Sequence, residues 1–375
     1  MPDDRVTRRS APRPVTLIPG DGIGPAVMAA ATAVIEATGA PITWDVQSAG
    51  SAAASTRGTS LPDDVVASIR STTVAFKGPT ATSIDGERPV SVRLRAELEL
   101  ELGVRPVRSW PGISSPAWTI GPGPLDVLVL RMLGEDLYAG LELEAKDPAA
   151  DDLRRVWAAR GRALPRDTAF SLKPMSERAI ERFARAALRH ARLAGRRRIT
   201  IVHKATVMRA TDGLFLSIVR ETAERMRGFE VEDRLVDTVC LELVRSPERF
   251  DVLITPMMYG DILSDLIAGL AGGLGVAPGA NFGPDIAVFE PVHGTAPSLA
   301  GLDRADPLAA ILTGAMLLRH LDLDGQADRI ERAVGSVLGA GEPLTYDLAG
   351  LPRLDPAAIG TTGMTQAVID RLPAR

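Results

Sequence analysis

The chain has 375 residues, 45% of them apolar, which is enough to bury a large core in two domains or in one large α/β domain. A formal charge of −4 excludes a basic field for nucleic acid but leaves room for a small anion held by a few placed arginines. The single cysteine, Cys240, excludes an intrachain disulfide and a cysteine-built zinc cage, and it points to a reducing, cytoplasmic setting.

The first dozen residues, MPDDRVTRRSAP, mix charge with proline and lack an apolar segment, so they read as a loose tail rather than a signal peptide. The run VTLI at 15–18 predicts a strand. Pro25 then opens a helix that carries Val27, Met28, Ala31, Val34 and Ile35 on one face and ends at Gly39. Further strands are predicted at 42–46, 73–76, 126–130, 199–202 and 251–254. A helix over 176–194 runs from Ser176 to Gly195 with a stripe of Ile180, Phe183, Ala187, Leu188 and Ala191. This alternation defines α/β architecture. Residues 144–170, dense in charge and proline, interrupt it and predict an insertion, an arm or a surface loop. No apolar run is long enough to span a membrane.

The stretch LIPGDGIGPAV at 17–27 imitates the glycine-rich turn of a dinucleotide-binding fold. The third glycine of that fingerprint falls on Pro25, so the fingerprint fails. A tight strand-to-helix turn, with glycine supplying unusual backbone angles, accounts for it.

Three groups of residues have chemistry in view. In PMMYGDILSDL, Asp261 and Asp265 stand four apart on one helix face, where two carboxylates repel unless a cation lies between them. Oxygen ligands of this kind suit Mg²⁺ or Mn²⁺, although acids at a helix start are also favoured by the dipole alone. Asp237, in an apolar stretch, would complete the set. In IVHKATVMRATDGLF, Lys204 follows an apolar strand; burial would lower its pKa and make it a base, against the plainer reading of a lysine snorkelling at a strand end. His203 reads as packing. Lysine is scarce, four residues against 39 arginines, so a lysine in an apolar stretch needs a reason. Arg95, Arg105 and Arg131 could grip the carboxylates of a di- or tricarboxylic acid, although each alone reads as a surface charge. Tyr138 could serve as an acid beside them, or simply fill the core.

Taken in order, IPGDGIGP, RPV, DLYAG, HKATVMRATDGLF, YGDILSDLIAGLAGGLG and FEPVHGTAP resemble the isocitrate/isopropylmalate dehydrogenase family of metal-dependent, β-decarboxylating oxidoreductases. The resemblance implies a non-Rossmann α/β fold of two domains with the active site in the cleft between them. The first, cofactor-binding domain would comprise residues 1–100 and 272–375, and the second, dimerisation domain residues 101–271, with a clasp arm near 144–170. It implies a homodimer whose sites borrow Lys204 and Asp237 from the partner, with no nucleic acid or membrane involved. It further implies oxidation of a 3-substituted malate at C2, with hydride passing to the nicotinamide, followed by loss of the carboxylate at C3. Asp237, Asp261 and Asp265 would hold Mg²⁺ or Mn²⁺, Lys204 would take the hydroxyl proton, Arg95, Arg105 and Arg131 would hold carboxylates, and Tyr138 would protonate the enolate.

The adenosine half of the cofactor is expected at His293, Gly294, Thr295, Ala296 and Ser298, with Asp306 standing where the family usually has Asn. Ser298 and Leu299 offer no cation to a 2′-phosphate, which favours NAD and leaves NADP open. Departures from the family pattern are Met132, Leu133, Thr206 and Met257 on the nicotinamide side, and Pro89 and Ser91 before Arg95. Arg88 favours an anionic 3-substituent such as a carboxylate or phosphonate over the hydrocarbon arm of 3-isopropylmalate; tartrate and malate are further alternatives. The altered nicotinamide side also raises the alternative of a non-catalytic or allosteric subunit.

Overall fold

The computed structural model describes residues 12–81, 87–113 and 125–374; residues 1–11, most of the expected loose tail, lie outside them. Twelve strands follow one another as β1 (Arg13–Ile18), β2 (Ile42–Val46), β3 (Val74–Lys77), β4 (Leu102–Arg108), β5 (Asp126–Met132), β6 (Leu141–Leu143), β7 (Phe170–Leu172), β8 (Arg198–His203), β9 (Glu230–Leu235), β10 (Val252–Thr255), β11 (Ala280–Phe282) and β12 (Ala287–Phe289). Ten of them form one sheet in the order β2-β1-β3-β12-β11-β4-β5-β10-β8-β9. The flanks are parallel, as expected for strands joined by helices. The centre is antiparallel, where β11 pairs with both β12 and β4, and β4 with β5. The predicted α/β class holds, with strand ends displaced by a residue or two.

Four apolar clusters fix the helices against this sheet, one of them packing Val65, Ile69, Val90 and Leu94 on Ile18 and Ala75. The Gly24–Ala37 helix packs Val27, Val34 and Ile35 against Ile311 and Ala315 of the Leu308–His320 helix, and Val334 of the Asp324–Ala340 helix joins them. Trp110 and Ile113 belong to the same cluster. In the middle of the chain the helices Glu177–Leu193 and Asp212–Met226 stack Phe183 on Phe215, ring centroids 6.0 Å apart. On the opposite face the helices Val236–Arg245 and Met257–Ala271 bury Val239, Leu243, Leu263 and Ile267.

The irregular stretch expected at 144–170 contains a twelve-residue helix, Pro148–Ala159, carried on the antiparallel pair β6–β7. Asp147 caps it by accepting from the Ala149 amide, and Pro148 sits in its first turn, so the charge and proline that suggested a loop are the helix's start signal. Leu141, Trp157 and Leu172 stay exposed on this arm.

The opening glycine turn is a backbone joint. Gly22 has φ +60°, and a Cβ there would stand 2.1 Å from the Thr295 carbonyl oxygen. Gly20, at φ +79°, abuts the Pro79 carbonyl in the same way. Asp21 donates its amide to Pro79 and Ile23 its own to Thr295, at 2.7 and 2.9 Å. The turn therefore seats the first helix against the loop that begins at His293. Gly22→Ala should lower stability by about 2 kcal/mol or more, from left-handed strain plus the backbone clash. Urea unfolding followed by far-UV circular dichroism checks this, and an unchanged midpoint would refute the joint.

Candidate active site

One buried carboxylate organises the basic side of the cleft. Glu290, just after β12, accepts from Lys77 Nζ at 2.9 Å, from Asn281 Nδ2 at 2.7 Å and from Ser91 Oγ at 3.3 Å. Arg95 lies 3.5 Å and Arg105 3.9 Å from its Oε1. Burial alone would raise the Glu290 pKa, but Lys77, Arg95 and Arg105 outweigh it and hold the carboxyl well below the usual range. Arg105 is fixed further by the carbonyls of Val104 and Ala280 and by Asn281 Oδ1, and burial lowers its guanidinium to about 10.

Arg131, at the end of β5, is the third cation. Its Nε donates to the Met257 carbonyl at 2.8 Å, and its Nη1 pairs with Asp261. The side chain crosses the start of the Met257–Ala271 helix where residue 260 is glycine; a Cβ there would lie 2.6 Å from Arg131 Cγ and 2.3 Å from Thr255 Oγ1. Tyr138 donates its hydroxyl to Asp261. Burial and the Asp261 carboxylate raise the phenol's pKa, so it keeps its proton. Arg88 donates to the Ala139 carbonyl at 3.4 Å, beside Tyr138.

Asp261 and Asp265 lie on one helix face as the spacing predicts. Burial raises the pKa of Asp265, and the Asp261 charge raises it further. That repulsion within an oxygen-only donor pair fits a hard divalent cation. Asp237 is not part of the pair: its carboxylate takes Lys204 Nζ at 2.5 Å. Among the described residues no three acids, histidines or cysteines gather in one chain as a metal cage. Lys204 also differs from expectation. It is not a buried amine, since 29% of its side chain is exposed, and its partner is Asp237 rather than an apolar wall. His203 packs as expected, its Nε2 donating to Asp233 and its Nδ1 accepting from the Ala205 amide.

The loop from His293 carries two orphaned buried atoms, His293 Nε2 and, from the following segment, Asp306 Oδ2. His293 Nδ1 faces its neighbour's carbonyl at Gly294, which leaves Nε2 as an acceptor. Burial, then the Asp347 charge, raises the Asp306 pKa well above the carboxylate range. An unpaired acceptor at His293 and an unpaired protonated carboxyl oxygen at Asp306, beside a glycine-lined loop, suit a ligand with both donor and acceptor groups, as adenosine has. Gly294 leaves this rim open, Ala296 packs on the apolar core, and Thr295 meets the opening turn. The missing-cation argument at Ser298 does not survive: Arg353, 55 residues away, donates Nη1 to Ser298 Oγ at 3.0 Å.

Met132, Leu133 and Met257, the apolar departures on the nicotinamide side, are all buried in hydrophobic clusters. Thr206 is exposed. Sequence reasoning missed Lys77, Asn281, Glu290 and Arg353. Only Lys77 carried a signal, as one of four lysines and the end of the apolar run VAFK.

A parallel-flanked sheet with a doubled-back centre, a paired-aspartate helix and a basic cleft fits a metal-assisted hydroxy-acid dehydrogenase. The family model described as isocitrate/isopropylmalate dehydrogenase matches residues 14–368, and the chain belongs to that family. It is 38% identical over 342 residues to a Drosophila melanogaster protein named as a probable mitochondrial NAD isocitrate dehydrogenase alpha subunit, covering 91% of this chain and 84% of that one. It is 37% identical over 365 residues to mitochondrial NAD isocitrate dehydrogenase catalytic subunit 5 of Arabidopsis thaliana, covering 97% and 89%. The crystal structure of isocitrate dehydrogenase from Methylococcus capsulatus superposes with a TM-score of 0.85 at 42% identity, covering 96% of this chain and 99% of that one. The chain is accordingly an oxidoreductase that oxidatively decarboxylates a 3-substituted malate with NAD and Mg²⁺ or Mn²⁺, in a family that forms dimers or oligomers. The cytoplasmic expectation is corrected. The named relatives are mitochondrial, and a single thiol suits any reducing compartment, so cysteine usage could not tell the two apart.

Glu290→Gln should destabilise the chain by about 3–5 kcal/mol, because three buried or half-buried cations lose their common counter-charge. In the parent that stabilisation is complete above the ordinary glutamate range and declines as the pH falls through the lowered pKa. Denaturant unfolding of both proteins at pH 7 and pH 4 checks it; equal midpoints at pH 7 would refute it.

Proposed function

We propose that the chain oxidises and decarboxylates isocitrate, in a cleft between a first domain of residues 1–100 and 272–375 and a second of residues 101–271. The observation that carries this reading is the convergence of three arginines on two carboxylates: Arg95 and Arg105 lie 3.5 and 3.9 Å from Glu290, and Arg131 pairs with Asp261 beside Asp265. Such a cluster calls for a polyanion. Arg88, beside Tyr138, extends the positive wall, and Ser91 offers a hydroxyl at its edge, so a carboxylated 3-substituent fits better than a hydrocarbon one.

In this reading Arg95, Arg105 and Arg131 hold the malate carboxylates and set the carbon–carbon bond to be broken. Asp261 and Asp265 hold Mg²⁺ or Mn²⁺, with Asp237 supplied by the second protomer of a homodimer. Lys204, also from the second protomer, accepts the C2 hydroxyl proton. The pairing of Lys204 with Asp237, while Asp261 takes Tyr138 and Arg131 instead, supports such an exchange. The metal held by these aspartates would supply polarisation of the substrate oxygen, and NAD at the adenosine-receiving loop would supply the hydride acceptor for C2. Tyr138, kept protonated, delivers a proton to C3 after the carboxylate leaves. His293, Gly294, Thr295, Ala296, Ser298 and Asp306 receive the adenosine.

A panel of isocitrate, homoisocitrate, 3-isopropylmalate, tartrate, malate and a phosphonomethyl malate, each with Mn²⁺ and either cofactor, tests the substrate. The highest kcat/KM is expected for isocitrate; a higher value for 3-isopropylmalate would overturn the reading. Lys204→Met should cut kcat by about 10²–10⁴-fold with the circular dichroism spectrum unchanged, as expected for loss of a general base. Near-normal turnover would sink the proposed proton transfer.

A further inference from the structure

A second buried charge cluster lies apart from Glu290 and has no role in the chemistry above. Asp212, fully buried at the start of the Asp212–Met226 helix, accepts from Lys173 Nζ at 2.5 Å through Oδ1. Its Oδ2 accepts the backbone amide of Lys204 at 2.7 Å and the Tyr259 hydroxyl at 3.0 Å. Lys173 Nζ also stands 3.6 Å from Asp136 Oδ1 and 4.9 Å from the centre of the Tyr259 ring. Asp136 is buried and holds φ +70°; its Oδ2 accepts the Met258 amide at 3.0 Å and its Oδ1 the Leu137 amide at 2.8 Å. One ammonium between two carboxylates thus ties together three segments. They are the turn with Tyr138, the head of the helix with Asp261 and Asp265, and the loop with Lys204.

We propose that Lys173 and Asp212, with Asp136 and Tyr259, are the positioning residues of the reaction, holding the Lys204 loop, the Tyr138 turn and the aspartate helix in one fixed relation. None of the four touches the cleft arginines: Arg95 and Arg105 hang on Glu290 through a different network, and Arg131 is held by the Met257 carbonyl and Asp261. The grip of Arg95 and Arg105 on substrate is therefore separable from the placement of Lys204 and Tyr138. The proposal rests on the roles given above to Lys204 and Tyr138. Under those roles it says more: Lys204 serves the partner's site while Tyr138 and Asp261 serve the chain's own, so a single buried ion pair aligns groups of two sites.

The separation dictates the signature. In the full-length protein, Lys173→Met should lower kcat for isocitrate at least tenfold while the KM for isocitrate stays within twofold, and Lys173→Arg should restore most of the rate. Tyr259→Phe keeps every charge and removes one tie, so it should fold normally and lower kcat several-fold, again without a change in KM. Thermal melts and NAD binding by calorimetry, run alongside, report the folded fraction and the cofactor site independently of turnover. A purely structural brace would instead lower the melting point and leave the kcat of the folded fraction unchanged, which overturns the proposal. So does a KM that rises in step with the loss of kcat. If Lys173→Met does not fold, Tyr259→Phe decides: unchanged kcat refutes the positioning role. Parent turnover with unaffected variants sinks the positioning role alone; a parent inactive on every hydroxy acid in the panel sinks the reading of the site and the positioning role with it.

Discussion

The Glu290 carboxylate is the constraint on which the cleft depends. Three basic side chains, Lys77, Arg95 and Arg105, come within 4 Å of it from separate elements: the end of β3, the Val90–Glu97 helix and β4. Without a central anion these cations would repel one another in a low-dielectric setting and drive the sheet's centre apart. With it, β11 can sit between β12 and β4, since Asn281 of β11 bonds both Glu290 and Arg105. The cleft keeps a net positive wall because one carboxylate cannot neutralise three cations. An architectural solution for the sheet therefore becomes a recognition field for an acidic substrate.

Charge elsewhere is divided in a similar way. Arg131 bridges to Asp261, and Tyr138 points its proton at the same carboxylate, so a phenol and a guanidinium share one carboxylate. The glycine at 260 is what lets that happen: a side chain there would occupy the path of Arg131. Asp265, one turn further on, carries the cost of proximity as a raised pKa. Apolar packing supplies the rigidity around it, with Leu263 and Ile267 locking the same helix into the core.

Much of this was legible in the order of short motifs. The strand–helix alternation, the i, i+4 aspartates and the basic residues before and after β4 all come from local spacing and were readable. What escaped was set by chain return. Glu290 is 213 residues from Lys77 and 195 from Arg95, and an acid in FEPVHG has no local period to betray its partners. Arg353 reaches Ser298 from a loop whose composition is that of any surface loop, so inspecting residues 298 and 299 alone gave a false absence. The exposure of Lys204 was not legible because an apolar strand before a residue says nothing about whether the residue itself leaves the core. The helix at 148–159 was hidden because proline and aspartate mark both loops and helix starts.

The position of β12 has a consequence for synthesis. β3 is held on one side by β1 and on the other by β12, which lies about 210 residues further along the chain, and the first helix is covered by the Leu308–His320 helix later still. While the ribosome is still making the middle of the protein, β1, β2 and β3 stand with an open edge and an uncovered apolar face, whereas β5, β8, β9 and β10 find their neighbours within that middle segment and β4 has β5 but waits for β11. The nascent amino-terminal strands must therefore be sheltered until the last third of the chain emerges.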